Sequence, residues 1–137
     1  MESEKKLRIS LLLLRLGVFI VMFMWTMDKF VKPDHAIGIF KKYYFLDGFS
    51  VEIMYAVAAI ELVIVLGFVA GYMKRWTYGM VLLLHAGSTF MAFGKYLDPW
   101  RSLLFFAAWP MLAACVALYL LRDEDTLFAL EKKKPAS

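Results

Sequence analysis

The sequence predicts an all-α integral membrane protein, a four-helix bundle with a short interfacial helix between helices one and two. Three observations predict it. Hydrophobic residues make up 62% of the 137-residue chain, against roughly 45–50% in a soluble domain. The excess falls in four apolar runs, residues 7–30, 51–72, 76–97 and 100–121. Each is close to the ~20 residues that a spanning helix needs. The connections between the second, third and fourth runs are too short for soluble structure, so residues 1–137 read as a single membrane domain.

The first run, LRISLLLLRLGVFIVMFMWTMDKF, carries Arg15 well inside it and Asp28 and Lys29 at its far end. A charge at membrane depth is costly, so Arg15 is expected to face protein rather than lipid. Arg15, Met22, Thr26 and Lys29 fall on one helical stripe. The run is too long for a signal-peptide core and has no small-residue cleavage site after it. Met1 to Lys6 reads as a frayed charged tail.

Residues 31–50 form the longest connection. Pro33 stops the first helix. Asp34 is expected to cap an amphipathic helix running to about Leu46, with Ile37, Phe40 and Tyr44 on its apolar face, lying in the membrane interface. Asp47-Gly48 ends it in a turn. Helix two places Glu61 near its middle, on a face with Met54, Ala58, Val65, Phe68 and Tyr72. Gly67 and Gly71 permit close helix contact. Lys74 and Arg75 make the next turn, with Trp76 and Tyr78 at the interface. Helix three carries His85, Ser88, Thr89 and Ala92 on one face and ends near Lys95, Tyr96 and the Asp98-Pro99 turn. Pro110 is expected to kink helix four. Residues 123–130 are expected to form a short surface helix, followed by the basic tail Lys132 to Lys134.

Orientation follows from Lys and Arg counted by side. One side holds Lys5, Lys6, Arg8, Lys74, Arg75, Arg122, Lys132, Lys133 and Lys134; the other holds Lys29, Lys32, Lys41, Lys42, Lys95 and Arg101. The excess places both termini in the cytoplasm. A net charge of +4 needs no nucleic acid to explain it, since the basic residues sit at helix ends as membrane anchors. The single cysteine, Cys115, allows no intramolecular disulfide, so thiol redox chemistry would require a partner protein.

Counting residues from the expected membrane edge puts Arg15 about 12 Å deep, Glu61 about 16 Å and His85 about 13 Å. Three ionisable groups in one layer admit two readings. One is a structural Arg15–Glu61 clip, with His85 a core histidine bonded to a backbone carbonyl or to Ser88. The other is a proton-linked site, in which Arg15, Glu61, His85 and Ser88, with Lys29 on the same stripe, line a polar pocket for a quinone or a small polar solute, flanked by Phe19, Phe23 and Phe68. No paired-His or Cys spacing marks a metal site.

Arg15-Leu16-Gly17 early in helix one, Asp28-Lys29-Phe30 at its end, Glu61 followed by Leu66-Gly67, and Arg122-Asp123 after the last helix together resemble the DoxX-type family over most of the chain. Trp25 stands where that family's first helix carries a Gly, and Lys29 where it carries its Lys. The resemblance implies a four-helix protein of the bacterial inner membrane. It also implies a membrane component of a redox complex, as in a subunit of thiosulfate:quinone oxidoreductase or the membrane partner of a thiol-oxidative-stress complex. The partners expected are the lipid bilayer and an oxidoreductase. The alternative is a non-catalytic membrane scaffold or assembly factor. A small transporter is disfavoured by the lack of broken helices and internal repeats.

Overall fold

The computed structural model describes residues 2–43, 50–92, 96–98, 100 and 103–130, with the backbone only of Phe40 and Tyr43. The expected end of the interfacial helix at Tyr44 and Leu46, the Asp47-Gly48 turn, Lys95, Pro99, Arg101 and Lys132 to Lys134 lie outside the described residues.

Among the described residues there are five α-helices: α1 (Glu2–Val31), α2 (Pro33–Tyr43), α3 (Val51–Val69), α4 (Lys74–Met91) and α5 (Ala108–Leu120). A 3-10 turn, Leu103–Ala107, leads into α5, and another, Arg122–Glu124, follows it. Three helical segments are long and apolar enough to cross a membrane: Glu2–Val31, Val51–Val69 and Leu103–Leu120. The chain is a small multi-pass membrane protein. Of the four spans expected, the third does not meet the same composition, because α4 opens on Lys74-Arg75 and carries His85, Ser88 and Thr89 in its second half.

The helices close into a ring: α1 packs on α3, α3 on α4, α4 on α5 and α5 on α1, while α2 leans on α1 and α3. The inward stripe of α1 is Leu11, Arg15, Val18, Met22 and Thr26. It repeats at 3–4 residues, as the amphipathic period requires. The core gathers Leu11, Val18, Met22, Val65, Phe68, Tyr78, Val81, Cys115 and Leu118. Leu13, Ile20, Ile60 and Val63 are exposed apolar residues on the outer faces of α1 and α3, as the hydrocarbon of a bilayer demands.

Local signals fix most boundaries. α1 starts at Glu2, so the expected frayed tail is helical; Glu2 and Glu4 favour the helix N-terminus and pair at i,i+4 with Lys6 and Arg8. Lys32 breaks α1 and Pro33 opens α2, the position a proline tolerates best. Ser50 caps α3, its Oγ accepting from Ile53 N at 3.2 Å. α3 ends in a Schellman turn: Tyr72 N bonds Gly67 O at 2.9 Å, Gly71 N bonds Phe68 O at 3.0 Å, and Gly71 takes φ +65, the left-handed conformation this cap needs. Pro110 lies in the first turn of α5 and follows a 3-10 segment instead of kinking a longer helix; there its missing N–H costs no helical bond.

The segment after α5 is not a surface helix. Beyond the 3-10 turn it runs back under the bundle, bonds Leu130 N to Ala70 O at 2.8 Å, and buries Asp125 and Ala129.

Candidate functional site

The single polar layer expected from residue counting resolves into three places. The expected Arg15–Glu61 pair does not form. Arg15 lies level with the α3–α4 turn, close enough that a Cβ on Gly71 would stand 3.0 Å from its Nη1. Glu61 meets Thr26 and Lys29, 11 and 14 residues further along α1, or about 16–21 Å along the axis. The depth count fails because α1 begins before residue 7 and overshoots the α3–α4 turn.

At the basal end, where α3 turns into α4, Arg15 is fully buried. Its Nη1 is 3.4 Å from Asp125 Oδ1 and donates to Tyr78 Oη at 3.4 Å. Its Nη2 donates to the carbonyls of Leu127 and, at 3.4 Å, of Phe128. Tyr78 donates to Asp125 Oδ2 at 2.5 Å. Lys74, also buried, donates to Arg122 O at 3.0 Å and Asp125 O at 2.5 Å. Among the described residues Arg15 thus meets one carboxylate and two tail carbonyls, and Lys74 two more carbonyls; charge-assisted bonds of this kind are the strong class. Gly71 makes room for it, since a Cβ there would stand 2.5 Å from Ala129 Cβ.

At the opposite end Lys29 Nζ lies 3.0 Å from Glu61 Oε2, both side chains largely buried. The Thr26 hydroxyl stands 2.9 Å from Met22 O and 3.3 Å from the same Glu61 oxygen. Nearby, His35 Nδ1 is 2.8 Å from Asp28 Oδ2 on an exposed rim.

The third place is a lateral groove of about 1060 Å³ between α1, α2, α4 and the Leu103–Ala107 turn with α5. It is mostly apolar; its polar groups come from Asp28, Lys29 and His35 at one end and from His85, Ser88, Thr89 and Tyr96. His85 bonds neither Arg15 nor Glu61 among the described residues. Its Nε2 is 2.9 Å from Ala108 O and 3.3 Å from Thr89 Oγ1, so the histidine does meet a backbone carbonyl, but on α5. Ser88 donates back to Leu84 O at 3.1 Å. Trp25 stacks on the imidazole with centroids 5.9 Å apart and planes at 28°. The buried His85 Nδ1 and Tyr96 Oη have no hydrogen-bond partner among the described residues, an uncommon state for buried polar atoms. Among the described residues the aromatic wall is therefore Trp25, Tyr96 and Phe105. Phe19 and Phe23 instead pair with each other at 5.3 Å, and Phe68 packs on Tyr78 at 4.9 Å.

Three of the five residues singled out in the sequence, Lys29, His85 and Ser88, share this groove. Glu61 touches it only through Lys29, and Arg15 stands apart. Sequence reasoning misses Asp125, Tyr78 and Lys74 as a cluster. Lys74 and Tyr78 sit four residues apart on one face of α4, and an acidic stretch, Asp123-Glu124-Asp125, follows α5; that pairing is the signal that points to them. No family model, curated protein or solved structure matches the chain.

Proposed function

We propose that the chain is a membrane component of a redox complex, of the kind the DoxX-type resemblance implies, and that the lateral groove receives a quinone head group. The observation that carries this reading is the groove itself. It is large enough for a ring and the start of an isoprenoid chain and mostly apolar; its wall includes His85, whose buried Nδ1 lacks a partner among the described residues and whose ring stacks on Trp25, and Tyr96, whose buried Oη also lacks one. Lys29 and Glu61, two residues on which the resemblance rests, meet in an ion pair at 3.0 Å, with Lys29 on the groove wall. When bound, a quinone supplies reversible two-electron, two-proton chemistry; the residues here bind and orient its ring and polar edge. Cys115 is buried in the core, so thiol chemistry falls to a partner.

In this reading α4 crosses the bilayer with α1, α3 and α5. Its 18 residues span about 27 Å, and it is walled by both neighbours in the ring. The basal end lies in the cytoplasm of a bacterial inner membrane, on the side of the larger Lys and Arg count. A second reading, a scaffold or assembly factor without chemistry, is favoured by the basal cluster, which ties three parts of the chain together.

Mild-detergent purification from native-like membranes followed by solvent extraction and absorbance tests the first reading. It expects a co-purified quinone, in oxidised or reduced form, whose spectrum changes on chemical oxidation or reduction, lost from a Trp25→Ala, Tyr96→Phe double variant. A homogeneous bundle free of quinone and of any bound oxidoreductase would favour the scaffold.

A further inference from the structure

We infer that the groove selects ligands that donate a hydroxyl hydrogen, a phenol-type or hydroquinone head group rather than a quinone carbonyl, and that His85 Nδ1 is the acceptor. The inference rests on the groove being a head-group site and specifies which oxidation state of that group it holds.

The tautomer of His85 decides the matter. Nε2 lies 2.9 Å from the Ala108 carbonyl oxygen. A carbonyl only accepts, so Nε2 carries the hydrogen. The Thr89 hydroxyl spends its own hydrogen on His85 O at 2.8 Å. At 3.3 Å from Nε2 it therefore presents a lone pair, which suits the same Nε2–H. No carboxylate lies within ion-pair distance of His85 among the described residues, and the side chain is 1% exposed. An imidazolium without a counter-ion there would be costly, so the ring is neutral. A neutral imidazole with its hydrogen on Nε2 has a bare lone pair on Nδ1, the atom left without a partner.

A ligand that satisfies Nδ1 must donate. A quinone carbonyl would set lone pair against lone pair; a hydroquinone or phenol hydroxyl supplies the missing hydrogen. Tyr96 Oη, the other unpartnered buried atom on the groove wall, both donates and accepts, so it tolerates either form; Lys29 and Asp28 on the same wall are engaged by Glu61 and His35, which leaves the selection to His85. Trp25, half exposed and stacked on the imidazole, offers the flat surface against which an aromatic head group would lie.

Calorimetric titration of the full chain in detergent with pentylphenol and with its methyl ether isolates the donor, because the two differ by one hydrogen-bonding group. The phenol should bind about tenfold tighter, the size of one net hydrogen bond, and His85→Leu should remove the difference. Tyr96→Phe is the second arm should that variant fail to fold: the preference should persist there, and its loss would assign the acceptor to Tyr96 and overturn the inference. Equal affinity, or no binding of either, overturns the inference. Under anaerobic conditions a decyl-hydroquinone should likewise bind tighter than the matching quinone. If the quinone binds tighter, the donor requirement falls while the groove stands as a quinone site. If neither form binds but the phenol preference holds, the donor requirement stands and the quinone-linked reading fails. Nitrogen NMR of histidine-labelled protein gives a ligand-free check: a protonated Nδ1 on His85 overturns the inference.

Discussion

Tyr78 donates its phenolic hydrogen to Asp125 across 2.5 Å, and so fastens the second turn of α4 to the segment that leaves α5. Arg15 reaches the same pair from α1. Three stretches far apart in the chain therefore meet on one carboxylate.

Removing that carboxylate should be expensive. Asp125→Ala leaves Arg15 buried with no countercharge, and breaking a buried pair costs roughly 3–5 kcal/mol. Arg15→Leu should cost a similar amount, and the double variant should cost clearly less than the two together. Tyr78→Phe should lose about 1–3 kcal/mol by leaving buried acceptors unmet. Denaturation of the four proteins in detergent checks the cycle; additive effects would show that Arg15 and Asp125 do not interact.

Lys29 and Glu61 should couple, and Arg15 and Glu61 should not. The Lys29–Glu61 pair is largely but not wholly buried, so Lys29→Met or Glu61→Gln should each cost on the order of 1–3 kcal/mol, between the surface and buried cases. Arg15→Leu combined with Glu61→Gln should add to within about 0.5 kcal/mol, as for distant sites. The same denaturation assay reads both cycles.

Gly71→Ala should release the tail. Alanine is strained at φ +65, by about 1–2 kcal/mol, and its Cβ would fall 2.5 Å from that of Ala129. Amide exchange at Leu130, whose N–H bonds Ala70 O, should accelerate. Gly17→Ala is the control: nothing lies within 4 Å of the new methyl, so stability should hold or rise by up to about 1 kcal/mol.

The two ends of the chain should be reached from the same side. α1 runs away from the basal end, α5 returns to it, and Arg15 meets the tail there. Ser3→Cys and Ala136→Cys in a Cys115→Ala background should both be labelled by an impermeant thiol reagent from the cytoplasmic face. Labelling of one from each side would break the ring topology.

Local periodicity makes much of this legible. The inward stripe of α1 through Arg15, Met22 and Thr26, the face of α3 around Glu61, and the shared face of His85, Ser88 and Thr89 can all be read from spacing, because a helix repeats within the chain. Pairing across helices cannot. Arg15 finds Asp125, not Glu61, because the α3–α4 turn stops level with Arg15, and a count from an assumed membrane edge does not locate that turn. The tail misleads for a related reason. Asp123-Glu124-Asp125 looks solvent-loving in isolation, and only the buried Arg15 and Lys74 above it show why one of those acids turns inward. The groove's aromatic wall is hidden in the sequence because Trp25 and Tyr96 come from different parts of the chain and share no pattern.

The fastening of Arg15 by the tail also sets an order of events during synthesis. About 110 residues separate Arg15 from Asp125, so at ribosomal speed the guanidinium waits on the order of 5–20 s for its countercharge. Through that interval the nascent bundle holds the Arg15 guanidinium without the Asp125 carboxylate, and a chain terminated before Asp125 never gains it. A membrane protease or chaperone that recognises unpaired positive charge near the bilayer surface would then separate finished molecules from unfinished ones by the absence or presence of that single mark.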